Sequence, residues 1–462
     1  MVVALAATFL LFFEGAISGS DGGKMFAMAR SLVEDGDVTV TGDDVQLPGR
    51  EGGQTRYGLG LPLLAVPAVV VGKVAGAVVG NADEVGQAAA AALMPVITAL
   101  LAGAIYRLAR RLGAPPGRSA FVASGTIVGT FALAYTKEFL SEPLAGLALV
   151  VMIDRSLARK PWAAGIALAL GALVRAQLLV LAPIVALAHW RWHSFRDGVR
   201  VGVPLAVAGI AQAAINWWRF GDILSFGYQD IGYSVKWVPI ALVGFLVDPL
   251  KSILLFAPVT AAIAVAVWRI RRRQSHYATL VAGTLLASLG PVLFVFFWQG
   301  GWSWGPRYLL FPVFAGAPAV AVWASTARRQ QVVAVLFLLG FLFSAATLVV
   351  STRAQQIGQT HAADRGADDG HFDVIGPSIH RQIGAVPVTI GRVLHEPIEK
   401  DPGEGRYYRL PTMWQIGVVR LLGPKGAVLA VAGSAALGVL AVIAARKAIS
   451  GFRALDSASL GS

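Results

Sequence analysis

The chain reads as an all-α polytopic membrane protein with about a dozen crossings, and three observations carry that reading. Of its 462 residues 56% are hydrophobic and only 14% charged, with a mean hydropathy of +0.65; a soluble domain carries roughly 25% charged residues. Apolar runs recur whose length suits a spanning helix, which needs about 20 residues to cross about 30 Å of hydrocarbon. The net charge of +13 falls in short Arg and Lys clusters between those runs, as it does in cytoplasmic loops under the positive-inside rule. Membrane lipid is therefore the expected surroundings and nucleic acid is not an expected partner. The absence of cysteine excludes disulfides and thiolate metal sites.

Residues 1–17 form the first run; they lack a basic leader and read as a first span rather than a cleaved signal peptide. Further runs lie at about residues 61–80, 87–106, 119–136, 143–158, 161–174, 176–189, 199–217, 239–268, 277–298, 308–325, 331–350 and 427–445. Basic clusters mark the inner side at Arg107, Arg110, Arg111 and Arg118, at Arg155, Arg159 and Lys160, and at Arg191 and Arg196. They continue at Arg269 to Arg273, at Arg328 and Arg329, and at Arg446 and Lys447. Pairs of runs between successive clusters give an in-out-in weave in the plasma membrane with both termini cytoplasmic. Parity then requires that one of the three runs before Arg107 not cross. Residues 61–80 are the candidate, because Pro62, Pro67, Gly72, Lys73 and Gly76 interrupt them; they would lie at the outer face or re-enter. An outer N-terminus with three true spans is the alternative.

The short runs flanking Arg175 read as a hairpin reaching partway across. The run from Val238 is interrupted by Asp248, Pro249 and Lys251 and reads as a half-helix followed by a span. External loops fall at 18–60, 137–142, 218–238, 299–307 and 351–425. The organisation is thus a transmembrane core over 1–350 with its first external loop at 18–60, an extracytoplasmic cap or loop over 351–425, and a last transmembrane helix with a cytoplasmic tail over 426–462. No sequence repeat or low-complexity tract is visible.

With this weave the costly polar residues collect at the outer face: Asp21, Lys24, Tyr57, Lys137, Glu138, Glu142, Arg175, Gln177, Asn216, Arg219, Asp222, Tyr228, Asp248, Lys251, and Trp302 to Tyr308. Ionisable groups near the bilayer mark a substrate path or pair with one another. Individually they also have plain explanations: Arg175 could pair with Glu142, Lys251 could snorkel to the interface, and Trp298, Trp302, Trp304 and Tyr308 could form an aromatic belt. Clustering on one side favours a site on the extracytoplasmic face.

Several stretches resemble lipid-linked-sugar-dependent glycosyltransferases of the GT-C superfamily, notably bacterial relatives of the protein mannosyltransferases and the aminoarabinose transferases. They are SGSDGG with the following MFAMARSLVEDGD, then YGLGLPLLAVP, KEFLSEPLAG, ALVRAQ, NWWRFGDILSFGY and GGWSWGPRYLLFP, in that order over roughly residues 1–325. The resemblance implies a GT-C fold of about twelve transmembrane helices and an enzyme that transfers a hexosyl or pentosyl group from a polyprenyl-phosphate donor to a lipid, glycan or protein acceptor. It maps the family's first-loop acid onto Asp21, its second-loop glutamate onto Glu142 and its GPRY arginine onto Arg307. Where many relatives carry a second acid beside the first, Gly22 and Gly23 stand here.

The chemistry asks for the same residue types. A carboxylate must take the acceptor's hydroxyl proton, and cations must hold the leaving phosphate. Asp21 is the expected base. Arg307, Arg175 and Lys137 are the expected phosphate ligands, arginine being suited by its planar fork. Lys24, Tyr57, Glu138, Glu142, Asp222, Tyr228, Trp302 and Tyr308 complete the expected substrate-binding set. The sequence specifies no cofactor with certainty and leaves a divalent cation open: His361, Asp364, Asp368, Asp369, His371 and His380 of the last loop are donor types for one, without tight ligand spacing. Two other classes share these features. A transporter or flippase would suit the broken helices but would bring inverted repeats, and an O-antigen ligase or polymerase-like enzyme would use the same kind of donor.

The weave is directly testable. Because the chain has no native cysteine, single cysteines at Ser20 and Gln359 should both react with an impermeant thiol reagent in intact cells. Labelling of only one overturns the topology.

Overall fold

In the computed structural model the described residues are 1–17, 20–40, 53–228, 232–248, 251–300, 303–348 and 414–460. Among them the regular elements are all helices, and an isolated antiparallel bridge joins Tyr233 and Val295. Trp302 and the cation-ligand candidates of the last loop lie outside these residues, as does most of the expected cap.

The first run forms α1 (Val2–Phe12), and α2 (Ser20–Glu34) follows it. Next come α3 (Gly60–Val79), α4 (Ala82–Ala91) and α5 (Leu93–Arg111). Residues 61–80 are thus one continuous helix, despite their prolines. Pro62 falls in the first turn, where its missing N–H is not needed, and only Pro67 lies inside. By length and composition α3 suffices to cross a membrane, as does Ala82–Arg111. A sharp reversal joins them: Gly80 is left-handed at φ +86°, and Asn81 caps α4 by accepting from the Glu84 N–H at 3.2 Å. Gly72 and Gly76 let the two helices touch, since a Cβ on either would strike the backbone of Gly86 or Ala82. Apolar solvent supplies no hydrophobic drive between helices, so such small-residue contacts set the packing.

The bundle continues with α6 (Pro116–Val128), a buried 3-10 turn at Phe131–Thr136, and α7 (Glu142–Leu157). Then α8 (Pro161–Val174), a 3-10 turn at Ala176–Leu181, α9 (Ala182–Trp192) and α10 (Phe195–Phe220) follow. The helix is indeed broken at Arg175. It is also broken at Asp248, between α11 (Trp237–Val247) and α12 (Ile253–Phe256), before α13 (Val259–Ile270). The run expected over 277–298 stops early. α14 (Ser275–Leu289) ends at Gly290 and Pro291, and the remaining residues turn to meet Tyr233. α15 (Leu310–Trp323), α16 (Ala327–Ser344) and a long terminal α17 (Trp414–Leu460) complete the chain.

Glycines seat neighbouring helices at several contacts. Gly146 of α7 lies against Phe314 of α15, Gly165 of α8 against the Val201 carbonyl of α10, and Gly316 of α15 against Ile263 of α13. The polar ends are sorted. At the basic end the fully buried Asp154 joins α5 to α7 through Arg111 at 2.6 Å and Arg107 at 3.2 Å. At the opposite end stand the first turns of α2 and α7, the breaks at Arg175 and Asp248, the end of α10, and the 303–307 loop.

Candidate active site

Asp21 lies in the first turn of α2, where the helix dipole favours a carboxylate. It is not the helix cap, since α2 begins at Ser20, and both its oxygens are engaged elsewhere. Oδ1 accepts from the Tyr57 hydroxyl at 2.7 Å, and Oδ2 from an Arg307 guanidinium nitrogen at 2.7 Å. Its side chain keeps 29% exposure, so a substrate hydroxyl can still reach it. Burial opposes ionisation of Asp21. The Arg307 charge and the Tyr57 hydrogen bond, with Arg175 farther off, overcome this and hold the carboxyl below the usual aspartate range. Burial and the Asp21 charge push the Tyr57 hydroxyl the other way, so it remains a donor.

Close approach of backbones places Asp21 here. A Cβ on Gly22 would meet the Phe139 carbonyl at 2.8 Å, so a residue without one lets α2 sit directly on the 137–142 turn. That turn and the start of α7 bring three charges. Lys137 is buried and pairs with Glu14 at 3.4 Å. Glu138 is buried too; burial and then the Glu14 charge push its carboxyl well above the usual glutamate range. Glu142 accepts from Arg175 at 2.5 Å.

Tyr57 is held from behind. Arg219, buried at the end of α10, donates to the Gln54 side chain at 3.2 Å, the Tyr57 carbonyl at 3.0 Å and the Thr55 carbonyl. Arg307 opens a 3-10 turn before α15, with its guanidinium 5.3 Å over the Tyr308 ring. Gly300, at φ +75°, adopts a conformation that only glycine takes freely, and the Arg307 side chain stands 3.0 Å from where a Cβ would lie.

The structure therefore brings Asp21, Tyr57, Arg307 and Tyr308 together, with Arg175 and Glu142 adjoining. Lys24 is half-buried one turn along α2 and has no ion pair among the described residues. Asp222 is exposed and spends its carboxylate on a local turn, accepting from the Leu224 N–H at 2.9 Å. Tyr228 lies under Arg56, 5.2 Å from ring centre to guanidinium. Sequence reading missed Glu14, whose position at the polar edge of the first run was the available signal. It also missed Tyr135, whose hydroxyl donates to the Trp304 carbonyl at 3.1 Å. Among the described residues no group of three or more His, Cys, Asp or Glu is arranged to hold a metal ion.

No family model matches the chain, and no curated protein matches it. Among solved structures it is similar to the Archaeoglobus fulgidus oligosaccharyltransferase in the apo form, at 11% identity and a TM-score of 0.47, over 82% of this chain and 60% of that one. It is similar to the same archaeon's oligosaccharyltransferase AglB in complex with an inhibitory peptide and a dolichol-phosphate, at 12% identity and a TM-score of 0.46, over 79% and 58%. ArnT from Cupriavidus metallidurans bound to undecaprenyl phosphate is similar at 16% identity and a TM-score of 0.48, over 95% and 75%. The chain thus spans about three fifths of the length of the oligosaccharyltransferases.

The Tyr57 contact has a pH signature. A carboxyl held below its ordinary value stabilises the fold above the unfolded pKa, and that contribution is lost as pH falls through the folded pKa. Tyr57→Phe lets the folded value of Asp21 rise toward the ordinary one. The acid limb of a thermal-stability profile of the purified protein should therefore move to higher pH. An unmoved acid limb would show that the hydroxyl does not tune Asp21.

Proposed function

We propose that the protein is an integral membrane glycosyltransferase that moves a hexosyl or pentosyl group from a polyprenyl-phosphate donor to an extracytoplasmic lipid, glycan or protein acceptor, with inversion. The observation that carries this reading is a partly exposed carboxylate, Asp21, held directly against an arginine at the end of the bundle opposite the basic clusters. A proton acceptor and an anion ligand thus stand side by side. In the reaction the acceptor hydroxyl gives its proton to Asp21 as its oxygen bonds to the anomeric carbon. The bond from that carbon to the phosphate oxygen breaks, and its electron pair leaves on the phosphate, whose charge Arg307 holds with Arg175 beside it.

Sharing Arg307 couples the two tasks. In the structure its positive charge depresses the basicity of Asp21. A donor phosphate seated on Arg307 neutralises that charge and restores the carboxylate as a base when a sugar is present to be transferred. Both termini are cytoplasmic and the site faces outward in this reading, with α3 lying along the outer face between the 57–60 segment and α4. The 351–425 segment stands as an extracytoplasmic cap or loop in the same reading.

Arg307→Lys keeps the charge and loses the bidentate fork, so the KM for a polyprenyl-phosphate sugar should rise by about 10-fold or more with normal purified yield. An Arg307→Ala protein that uses the same donor at the normal rate would remove the phosphate role.

Asp21→Asn keeps an acceptor for Tyr57 and loses the base. Transfer should fall by about 100-fold or more with the fold intact. Near wild-type transfer by well-folded Asp21→Asn would leave Asp21 a structural ion-pair partner and move the base to Glu142 or Asp222.

A further inference from the structure

We propose that Lys251 is a positioning residue that sets the loop presenting Arg307 to Asp21. Its consequence for donor use rests on the reading above; its consequence for the Asp21–Arg307 pair does not.

Lys251 lies in the break between α11 and α12, where a lysine could run its stem to the membrane interface. Instead it is 5% exposed and turned inward. Its Nζ donates to the Ser303 carbonyl at 2.6 Å, the Ser303 hydroxyl at 3.3 Å and the Gly305 carbonyl at 3.3 Å. The lysine amino group is rich in donors, and these three oxygens of one loop lie within its hydrogen-bond reach.

The Gly305 carbonyl also accepts the backbone N–H of Arg307 at 3.1 Å, so Lys251 and Arg307 converge on one oxygen. That carbonyl faces Lys251 because Gly305 adopts φ +62°, with Phe131 packed 3.0 Å from where a Cβ would stand. α12, which follows the break, touches the loop a second time through Phe256, edge-on to Trp304 at 5.8 Å between ring centres. Without the amino group, the buried carbonyls of residues 303 and 305 lose a donor, and turning the loop toward water is the way to satisfy them. Such a turn carries Arg307 off Asp21. Displacement of about 1 Å is enough to matter for a reacting centre.

The test compares wild type, Lys251→Met, Arg307→Ala and the double variant, purified in detergent. Carbodiimide coupling of a small amine to Asp21, read by mass spectrometry, reports how well Arg307 covers that carboxylate. Lys251→Met should speed the coupling several-fold, toward the Arg307→Ala rate, and should add nothing in the Arg307→Ala background, because residues acting through one another are non-additive. It should also raise the KM for a polyprenyl-phosphate sugar by about 10-fold while leaving the KM for acceptor unchanged.

Wild-type coupling in Lys251→Met alongside fast coupling in Arg307→Ala overturns the proposal, and so does an additive double variant. Should Lys251→Met fail to fold, Lys251→Gln retains N–H donors on a shorter arm and should couple at an intermediate rate; a wild-type rate there also overturns it. If the coupling pattern holds but wild type binds no polyprenyl phosphate, the donor reading fails and the positioning role is supported.

Discussion

The contact between Asp21 and Arg307 joins residues 286 positions apart in the chain. It closes the first external segment onto the late loop before α15, so the elements between must pack well enough to bring the two ends together. Neither group would tolerate that place alone. A half-buried carboxylate with no cation would protonate, and a guanidinium with no anion would draw water into the bundle. The pair is stable because each side chain satisfies the other. In the proposed reaction a phosphate that takes over Arg307 leaves Asp21 as a base.

Around this contact the charges are arranged in matched pairs of graded accessibility. Lys137 with Glu14 is 2% exposed on each side, and Glu142 with Arg175 shows 1% and 13%. Asp21 with Arg307 reaches 29% and 17%. The deepest pair joins the end of α1 to the 137–142 turn and serves assembly, because breaking a buried pair strands an uncompensated charge. Only the outermost pair combines a strong charge-assisted hydrogen bond with room for a third group. Glu138 fits the same gradient. Enclosed beside Glu14, its carboxyl is pushed well above the usual glutamate range by burial and then by the Glu14 charge.

Much of this was legible from residues alone. Asp21 follows directly on an apolar run, Gly22 makes room for the neighbouring turn, and the interruptions at Arg175 and Asp248 are real breaks in helices. What stayed hidden has a common physical cause. Lys137 reads as an outward cation because it sits in an external loop, but its partner Glu14 is more than a hundred residues away in the chain. No periodicity reports that separation. Asp222 reads as an outer acid, yet one of its oxygens is engaged by its own turn, a local hydrogen bond that the sequence position alone does not reveal. Likewise α3 carries the glycines and prolines of a broken segment and is one helix. Pro62 needs no N–H where it stands, and the glycines serve contact with α4.

Two further cations show why residue type could not separate substrate ligands from scaffold. Irregular backbone at the end of a membrane bundle exposes carbonyls that neither lipid nor a helix partner satisfies. Here Arg219 supplies donors to the 54–57 segment and Lys251 to the 303–305 segment. The first segment carries Tyr57 and the second leads into Arg307, so each partner of Asp21 is backed by a buried basic side chain that donates to the loop's own oxygens. In sequence Arg219 and Arg307 are alike, each basic and flanked by aromatic residues at an outer loop. Direction divides them: the guanidinium of Arg219 is turned back onto its own scaffold, whereas that of Arg307 meets Asp21, a carboxylate that keeps 29% exposure. Arg219 and Lys251 spend their hydrogen bonds on the scaffold, backbone and side chain alike, which is why the proposed phosphate role is given to Arg307.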